Sequence, residues 1–269
     1  MIQLNQIRQY FPQQIRENSI FDKYILKEYV QLMILDFLSS TRYIRKICFI
    51  GGTNLRLVSG IDRFSEDLDF DCKGLAKEEF DAMTSEIVQF LKRSGFRVET
   101  RDTPNSKLTA FRRNIYFPEL LFELNLSGHK EERFLIKIES QDQGIEYTNH
   151  LVDVRGCGFF FPFPVPDNRV LCSMKIAAML SRAKGRDFYD LMFLLTRTQP
   201  DYEFLSARCG INNSHELKEA IFRLLDTVDL SKKQRDFEHL LFNKENSTKI
   251  LRFREFIEPG LLEPRREDL

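Results

Sequence analysis

The fold is decided by Phe49-Ile50-Gly51-Gly52-Thr53-Asn54-Leu55-Arg56-Leu57, followed shortly by Arg63-Phe64-Ser65-Glu66-Asp67-Leu68-Asp69-Phe70-Asp71. The apolar run that leads into the glycines predicts a buried strand. Gly51 and Gly52 free the backbone so that its N–H groups can face an anion, and a helix is predicted to begin behind Thr53. The first stretch therefore predicts a strand, a phosphate-binding turn and a helix in immediate succession.

The second stretch predicts a strand that carries paired carboxylates. Side chains alternate between the two faces of a strand, so Asp67 and Asp69 point to one side while Leu68 and Phe70 face the core. Asp71 shares the face of the two acids but lies one step further along, which makes it a weaker candidate. Paired carboxylates beside a phosphate-binding turn are what a Mg²⁺-dependent enzyme needs to handle a nucleoside triphosphate.

A third carboxylate is expected on a neighbouring strand. The candidates are Glu123, in the sequence Phe-Glu-Leu-Asn, and Glu139, in the sequence Ile-Lys-Ile-Glu. Both residues also suit a solvent-facing position on a strand, and spacing alone leaves the choice between them open.

Composition excludes several classes of protein. The 269 residues include 40 basic and 40 acidic side chains, so no global field attracts nucleic acid and any RNA contact must come from a local patch. The five scattered cysteines form no Cys-x-x-Cys motif, which argues for a reducing cytosol and against a zinc site or a disulfide framework. No signal peptide and no membrane-spanning run is recognised, so a cytoplasmic location without a membrane partner is expected.

The apolar pattern predicts an α/β (α+β) protein in four parts. These are N-terminal helices at 1–45, a core sheet domain at 46–157, a proline-rich connection at 158–168 and a C-terminal helical domain at 169–269. In the core, a helix at 76–94 is followed by predicted strands at 96–100, 108–112, 121–126 and 134–139. The three prolines between Gly158 and Pro166 exclude a central strand or a helix there.

A second charged cluster lies in the predicted helical domain. Lys175 and Arg182 are seven residues apart and lie on nearly the same helix face, and Lys175 suits a point-charge contact with phosphate. Further charges surround Gly185: Lys184, Arg186, Asp187 and Asp190. A glycine inside such a run of charges favours a functional site over a charged helix end that is merely solvated. Arg112 and Arg113 could also reach phosphate, although a solvated strand edge is the simpler interpretation.

Other catalytic signatures are missing. No Gly-Lys-Ser/Thr follows the glycines, which excludes a P-loop, and no dinucleotide fingerprint is present. The four histidines are isolated from one another, and no Gly-x-Ser-x-Gly or Cys/His pattern indicates a nucleophilic enzyme.

Together the motifs resemble the AbiEii/AbiGii toxin family of nucleotidyltransferases. The resemblance is carried by Gly51-Gly52-Thr53-x-Leu55-Arg56-Leu57, Arg63-Phe64-Ser65-x-Asp67-Leu68-Asp69-Phe70, Lys175 and Arg182-Ala183-Lys184-x-Arg186-Asp187-x-Tyr189-Asp190-Leu191. It runs from about Phe21 to Leu195 and includes an entry helix around Lys27–Leu32; the C-terminal part of the chain matches only loosely.

The resemblance implies a nucleotidyltransferase-like fold of the DNA polymerase β type, and membership of a toxin–antitoxin or abortive-infection pair. It implies a nucleoside triphosphate substrate, an RNA acceptor such as a tRNA 3′ end, and a cognate antitoxin. Two Mg²⁺ ions, with Mn²⁺ as a possible substitute, would be held by Asp67, Asp69 and Glu139. Glu139 is preferred to Glu123 because the third acid of the family lies on a strand of the type Ile-Lys-Ile-Glu.

The resemblance also implies which residues contact the nucleotide. They are Gly51, Gly52, Thr53, Arg56, Ser65, Lys175, Arg182, Arg186, Asp187 and Asp190. Asp187 or Asp190 would orient the nucleotide or fix Arg186. The acceptor hydroxyl would lose its proton to Glu139 or to metal-bound water and attack the α-phosphorus, while pyrophosphate leaves against Thr53, Ser65 and Lys175.

Two alternatives remain open at this point. The same site could transfer a nucleotide to a small molecule or a protein side chain, although the basic residues Arg182, Lys184 and Arg186 mildly favour RNA. The chain could instead be a degenerate domain that only binds a partner. Intact Asp67 and Asp69 argue against degeneracy, because a binding module has no need to crowd like charges.

Overall fold

The computed structural model describes residues 3–101 and 110–257. The chain forms two compact units. The first comprises residues 1–60, 64–144 and 149–165, and the second comprises residues 61–63, 145–148 and 166–269. In the part of the chain that the structure describes, no helix has the length and apolar character needed to cross a membrane.

Within its described residues, the first unit contains six α-helices, seven strands and 3-10 turns at Ser19–Phe21 and Arg42–Arg45. The helices are α1 (Leu4–Arg8), α2 (Gln13–Arg16), α3 (Asp22–Ser39), α4 (Gly51–Leu57), α5 (Lys77–Arg93) and α6 (Leu120–Glu123). The strands are β1 (Ile47–Ile50), β2 (Asp67–Cys72), β3 (Glu99–Thr100), β4 (Phe111–Phe117), β5 (Phe134–Gln141), β6 (Asn149–Gly156) and β7 (Phe159–Pro166).

Five of these strands form a mixed sheet in the order β1-β2-β5-β4-β3. β2 and β5 run parallel, and the other neighbouring pairs are antiparallel. One face of the sheet is apolar and buried, with Leu68, Ile115 and Ile138 fully shielded from solvent. The amphipathic α5 packs on this face, where the rings of Phe80 and Phe111 lie 5.5 Å apart. The polar side chains of the same strands are thereby left on the opposite face.

The proline-rich stretch forms strand β7, which among the described strands pairs with β6 alone, in a two-stranded sheet. An outer strand accepts prolines because its unpaired edge needs no N–H donors. The predicted exclusion of a central strand therefore holds, but the stretch is a strand and not an irregular connection. Phe163 anchors it to the main sheet, since its ring lies 5.8 Å from that of Phe49 and 6.0 Å from that of Phe70.

The described part of the second unit is helical, as predicted. Its α-helices are α7 (Asn168–Arg182), α8 (Gly185–Leu195), α9 (Tyr202–Cys209), α10 (Ser214–Leu225), α11 (Leu230–Arg235) and α12 (Phe253–Ile257), with 3-10 turns at Glu238–Leu240 and Lys244–Arg252. The side chain of Asp167 caps α7 by accepting a hydrogen bond of 2.8 Å from the N–H of Arg169. Gly185 opens α8 where a Cβ would lie 1.9 Å from the carbonyl oxygen of Lys233, so only glycine fits this contact.

One predicted strand of the sheet is wrong. The alternating residues 121–126 are not a strand, because α6 and a turn through Asn125, whose φ is +57°, occupy this stretch. The prediction at 108–112 corresponds in part to β4, and residues 102–109 lie outside the described ranges. The helix at 76–94 and the strand at 134–139 are confirmed as α5 and β5. Residues 258–269 of the predicted C-terminal helical domain lie outside the described residues.

Candidate active site

The acids of the site are brought together by the parallel register of β2 and β5. Asp69 stands opposite Glu139, and Asp67 stands opposite Lys137. Side chains opposite each other on neighbouring strands share a face and lie about 5 Å apart at their Cβ atoms. Asp67, Asp69 and Glu139 are half-buried, whereas Leu68 and Ile138 between them are buried in the core. We call the surface formed by Asp67, Asp69, Lys137 and Glu139 the acid face.

The helix α4 begins at Gly51 and not behind Thr53 as predicted, and its first turn, Gly51-Gly52-Thr53, meets the acid face at Asp69. Gly51 has φ +83°, and a Cβ at this position would lie 2.2 Å from Oδ2 of Asp69. Only glycine allows both this backbone conformation and this approach. Thr53, the third residue of the turn, is buried and its hydroxyl donates to the carbonyl oxygen of Asp67. The first turn of α4 and strand β2 are therefore held together by direct contacts at Asp67 and Asp69.

Two cations lie among the acids. Nζ of Lys137 is 2.8 Å from Oδ2 of Asp67 and 3.5 Å from Oε1 of Glu139. Nη2 of Arg112, from β4, is 2.5 Å from the same Oε1 of Glu139. Burial alone would lower the pKa of Lys137, but the hydrogen bond to Asp67 and the surrounding carboxylates raise it above its ordinary value. With three carboxylates and two cations, this group of five side chains keeps one net negative charge.

These residues fit a divalent ion that is completed by its substrate. Among the described residues, no three His, Cys, Asp or Glu side chains are grouped so as to hold a metal ion by themselves. Mg²⁺ does not require such a cage, because it binds through one or two carboxylates together with water and substrate phosphates. Asp67 and Asp69 share a face of β2 and supply such a pair, next to the turn whose glycine approaches Asp69.

Other candidates from the sequence do not join the acid face. Asp71 is buried and its Oδ1 accepts a hydrogen bond of 2.9 Å from the N–H of Gln143, so it supports a turn. Glu123 is exposed on α6 and does not lie on a strand of the sheet. Of the two arginines considered as phosphate contacts, Arg112 pairs with Glu139, whereas Arg113 points to the other face and pairs with Asp81 of α5.

Arg56 and Ser65 belong to the same unit. The guanidinium of Arg56 pairs with Glu28 of α3, with Nε 2.8 Å from Oε2, and it lies over the ring of Phe64. Ser65 is buried, and its carbonyl oxygen accepts a hydrogen bond of 3.2 Å from Nε2 of Gln31. These contacts fix the segments on either side of the acid face.

The second unit holds a buried ion cluster, which we define as Arg63, Lys175 and Asp190. Asp190 accepts hydrogen bonds from Nε and Nη2 of Arg63 at 2.6 and 2.7 Å, and from Nζ of Lys175 at 2.7 Å. The side chains of Arg63 and Asp190 have no solvent exposure. Burial alone would raise the pKa of Asp190, but the charges of Arg63 and Lys175 outweigh it and lower the pKa to about 2.

A second buried acid, Asp187, organises the turn between α7 and α8. Its carboxylate accepts two hydrogen bonds from Arg182, at 2.8 and 2.9 Å, and one from the N–H of Lys184 at 3.2 Å. Asp187 therefore fixes Arg182 and not Arg186, which the resemblance had offered as an alternative. Arg186 is half-buried on α8 and has no carboxylate partner among residues 3–101 and 110–257.

Sequence reasoning gave no role to Lys137 or Arg63. For Lys137 a signal existed, because the alternation of Ile-Lys-Ile-Glu places it on the same face as Glu139. For Arg63, whose partner lies 127 residues away, local pattern contains no signal. Asp62, beside it, accepts a hydrogen bond of 2.7 Å from the hydroxyl of Tyr189, so the 61–63 segment is fixed within the second unit.

Comparison with known proteins shows the family and the fold of the chain. The family model described as nucleotidyl transferase AbiEii toxin, type IV TA system, matches residues 35–268. MenT4, a nucleotidyltransferase toxin from Mycobacterium tuberculosis, has a similar fold, with a TM-score of 0.63, 18% identity, and coverage of 100% of this chain and 92% of that chain. JHP933 from Helicobacter pylori is also similar, with a TM-score of 0.52, 18% identity, and coverage of 88% and 93% respectively. No curated protein sequence matches the chain.

The fold and the acid face thus define a nucleotidyltransferase. Because the family model matches most of its length, the chain belongs to the AbiEii nucleotidyltransferase toxin family of type IV toxin–antitoxin systems. The match extends through residue 268, beyond the part for which the sequence motifs alone carried the resemblance. Enzymes of this kind use a nucleotide substrate and a divalent metal ion.

Proposed function

We propose that this enzyme transfers a nucleoside monophosphate from a nucleoside triphosphate to the 3′ hydroxyl of an RNA, with tRNA as the expected acceptor. The observation that carries the proposal is the acid face, where Asp67, Asp69 and Glu139 share one side of the sheet beside Gly51. The metal is Mg²⁺, with Mn²⁺ able to replace it. When bound, it supplies positive charge that stabilises the phosphates during transfer.

In this reaction the acceptor oxygen forms a bond to the α-phosphorus, and the bond between the α-phosphorus and the oxygen bridging to the β-phosphate breaks. Pyrophosphate leaves with the electron pair of that bond, and the proton of the acceptor hydroxyl passes to Glu139. Asp67 and Asp69 would hold the metal, the backbone of Gly51 and Gly52 would face the phosphates, and Thr53 fixes the first turn of α4 against β2. Each group acts by position and charge, as phosphoryl transfer requires.

An RNA acceptor is supported by the part of the polar face next to the acids. Arg112, Asn114 and Tyr116 alternate along β4 on the side that carries Glu139. The guanidinium groups of Arg101 and Arg133 lie 5.6 and 5.8 Å from the centre of the Tyr116 ring. Arginine and aromatic side chains on an open sheet are typical of surfaces that bind unpaired RNA.

Within the second unit, cations held by buried acids are candidates for phosphate contacts of their own. Asp190 would hold Lys175, and Asp187 would hold Arg182, so that these acids position cations and do not touch the nucleotide themselves. Arg186 is the residue of this group best suited to a direct phosphate contact, because no described carboxylate neutralises it. Lys175 belongs to the buried ion cluster, where its Nζ donates to Asp190, so no phosphate contact is assigned to it.

The test uses the purified chain with each of the four labelled triphosphates, Mg²⁺ and total RNA. Label should enter RNA of tRNA size, and the Asp67→Ala variant should give none. Asp153→Ala changes an exposed acid on β6 and is the matched control that should retain activity. Label on protein or on small molecules would redirect the acceptor assignment, and no transfer to any acceptor would contradict the function.

The toxin role has its own test. Expression of the chain alone should arrest growth, whereas the Asp67→Ala variant should not. Co-expression of the product of a neighbouring reading frame should relieve the arrest if that product is the antitoxin. Growth unaffected by an active, well-expressed enzyme would contradict the toxin role without contradicting the transfer reaction.

A further inference from the structure

Lys137 is a cation at the centre of the acid face. It lies on β5, an interior strand between β2 and β4, opposite Asp67 and two residues from Glu139. Its Nζ lies 2.8 Å from Asp67 and 3.5 Å from Glu139, so a single ammonium bridges acids from two neighbouring strands.

Two further observations distinguish this contact from a loose surface ion pair. The side chains of Lys137, Asp67 and Glu139 are each 22–25% exposed, so all three are held against the sheet. Arg112 binds Glu139 from the β4 side and thereby limits where that carboxylate can move. Exposed pairs of long side chains are weak largely because nothing holds them in place, and here the sheet does so.

A second divalent ion would be held by Asp67 of β2 and Glu139 of β5 and would supply positive charge between these acids. In this chain the ammonium of Lys137 lies in that position, and a divalent ion placed there would meet a like charge at close range. Asp67 and Asp69 on β2 would together hold one Mg²⁺ along with a triphosphate, with one oxygen of Asp67 facing Lys137.

We propose that Lys137 takes the place of the second metal ion, so that the site works with one divalent ion and one fixed ammonium. The proposal rests on the proposed nucleotidyl transfer and goes further, because it assigns the positive charge of the second metal ion to the side chain of Lys137. Lys137 keeps Asp67 and Glu139 in place and supplies the positive charge that an ion between them would supply. Loss of the ammonium leaves three carboxylates together, which is a site that recruits an additional ion.

The test counts bound Mn²⁺ per bound non-hydrolysable triphosphate analogue, by electron paramagnetic resonance, and needs no turnover. The wild-type protein should bind one ion, Lys137→Arg should also bind one, and Lys137→Met should bind two. Lys92→Met, which removes an exposed lysine from α5, is the matched control and should bind one. Two ions in the wild-type protein, or one ion in a folded Lys137→Met variant, would overturn the proposal. If Lys137→Met does not fold, the wild-type count alone decides.

Kinetics give an independent readout. The transfer rate of the wild-type enzyme should rise with the first power of Mn²⁺ concentration below saturation. Lys137→Met should be slower by about 10²-fold at low Mn²⁺ and should depend on the second power, with partial recovery at high concentration. A wild-type enzyme that transfers nucleotides but binds two ions contradicts only the role of Lys137. A protein that binds one ion with the analogue but transfers to no acceptor contradicts only the proposed function.

Discussion

The acid face and the buried ion cluster contain the same kinds of charged residue, but they differ in burial and in how completely the charges are paired. In the buried ion cluster, Asp190 has no solvent exposure and both of its oxygens are bound by Arg63 and Lys175. On the acid face, Asp67 remains 22% exposed, and the carboxylates outnumber the cations. A buried charge persists only if it is paired and hydrogen-bonded, so the cluster must be complete in itself. Under the proposed function, a bound cation and a substrate would complete the acid face.

The difference shows why charged motifs in a sequence do not reveal their own roles. Asp-x-Asp in β2 and the two acids of α8 look equally functional as patterns of residues. Their surroundings distinguish the two regions. The carboxylate of Asp190 is fully paired with buried arginine and lysine, which indicates a structural role. The acids of β2 keep negative charge at a partly open surface, which indicates a metal-binding role. Substitutions in the two regions should therefore fail in different ways.

The largest effect is expected from Asp69→Asn. Loss of this carboxylate should lower the rate of transfer by about 10³-fold, because a metal ligand is removed while the side-chain volume is kept. The thermal unfolding midpoint should not fall, since a like charge beside Glu139 has been removed. Rate and midpoint are measured on the same preparation, with Asp153→Asn as control. A variant with normal rates would remove Asp69 from the site.

Asp190→Ala should show the opposite pattern. It leaves Arg63 and Lys175 buried without their acid, which should lower the free energy of unfolding by about 3–5 kcal/mol. Urea denaturation measures the change. Asp226→Ala is the control, because Asp226 also pairs with an arginine but is 67% exposed, and it should cost under about 1 kcal/mol. Equal losses in the two variants would contradict the distinction between buried and exposed pairs.

The pH dependence of stability should carry the signature of Asp190. Its pKa is lowered in the folded state to about 2, so its stabilisation is fully present above the ordinary carboxyl pKa and is lost as the pH falls towards 2. Above about pH 5, the lowered pKa of Asp190 should contribute about 2 kcal/mol to the difference in unfolding free energy between the wild-type protein and Asp190→Asn. This contribution should shrink as the pH falls from about 4 to about 2. A difference that is constant across this range would contradict the assignment.

Gly51→Ala gives the smallest effect and isolates the contact with Asp69. Gly51 and Gly60 both have positive φ, so alanine at either position costs about 1–2 kcal/mol of backbone strain. Only at Gly51 would the new Cβ meet Asp69, because nothing lies within 4 Å of the corresponding position at Gly60. Transfer by Gly51→Ala should therefore be about 10-fold slower than transfer by Gly60→Ala at matched folded fraction. Similar rates would show that this contact does not position Asp69.

Local pattern was sufficient for the elements that repeat with a clear period. The alternation in β2 placed Asp67 with Asp69, strand β5 was predicted, and the helix predicted at 76–94 agrees with α5 within a residue at each end. Residues 121–126 were misread because a short stretch that mixes apolar and polar residues fits a strand and a single helical turn equally well.

The relation between the strands could not be predicted. β2 and β5 pair in parallel after a long excursion through α5, β3, β4 and α6, and no local pattern sets their register. Without that register, Lys137 cannot be placed opposite Asp67, and the choice between Glu123 and Glu139 stays open. The pairing of Arg63 with Asp190 is equally remote in sequence. Contacts between distant segments, and not local propensity, are therefore what distinguish the two charged regions.

The most direct test of the acid face is calorimetric titration of a non-hydrolysable triphosphate analogue in the presence and absence of Mg²⁺. Binding should require Mg²⁺ in the wild-type protein and in Asp153→Asn, and it should be lost in Asp69→Asn with the fold intact. Binding of equal strength without Mg²⁺, or unchanged binding by Asp69→Asn, would contradict the assignment of Asp67 and Asp69 as the metal-binding acids of this nucleotidyltransferase.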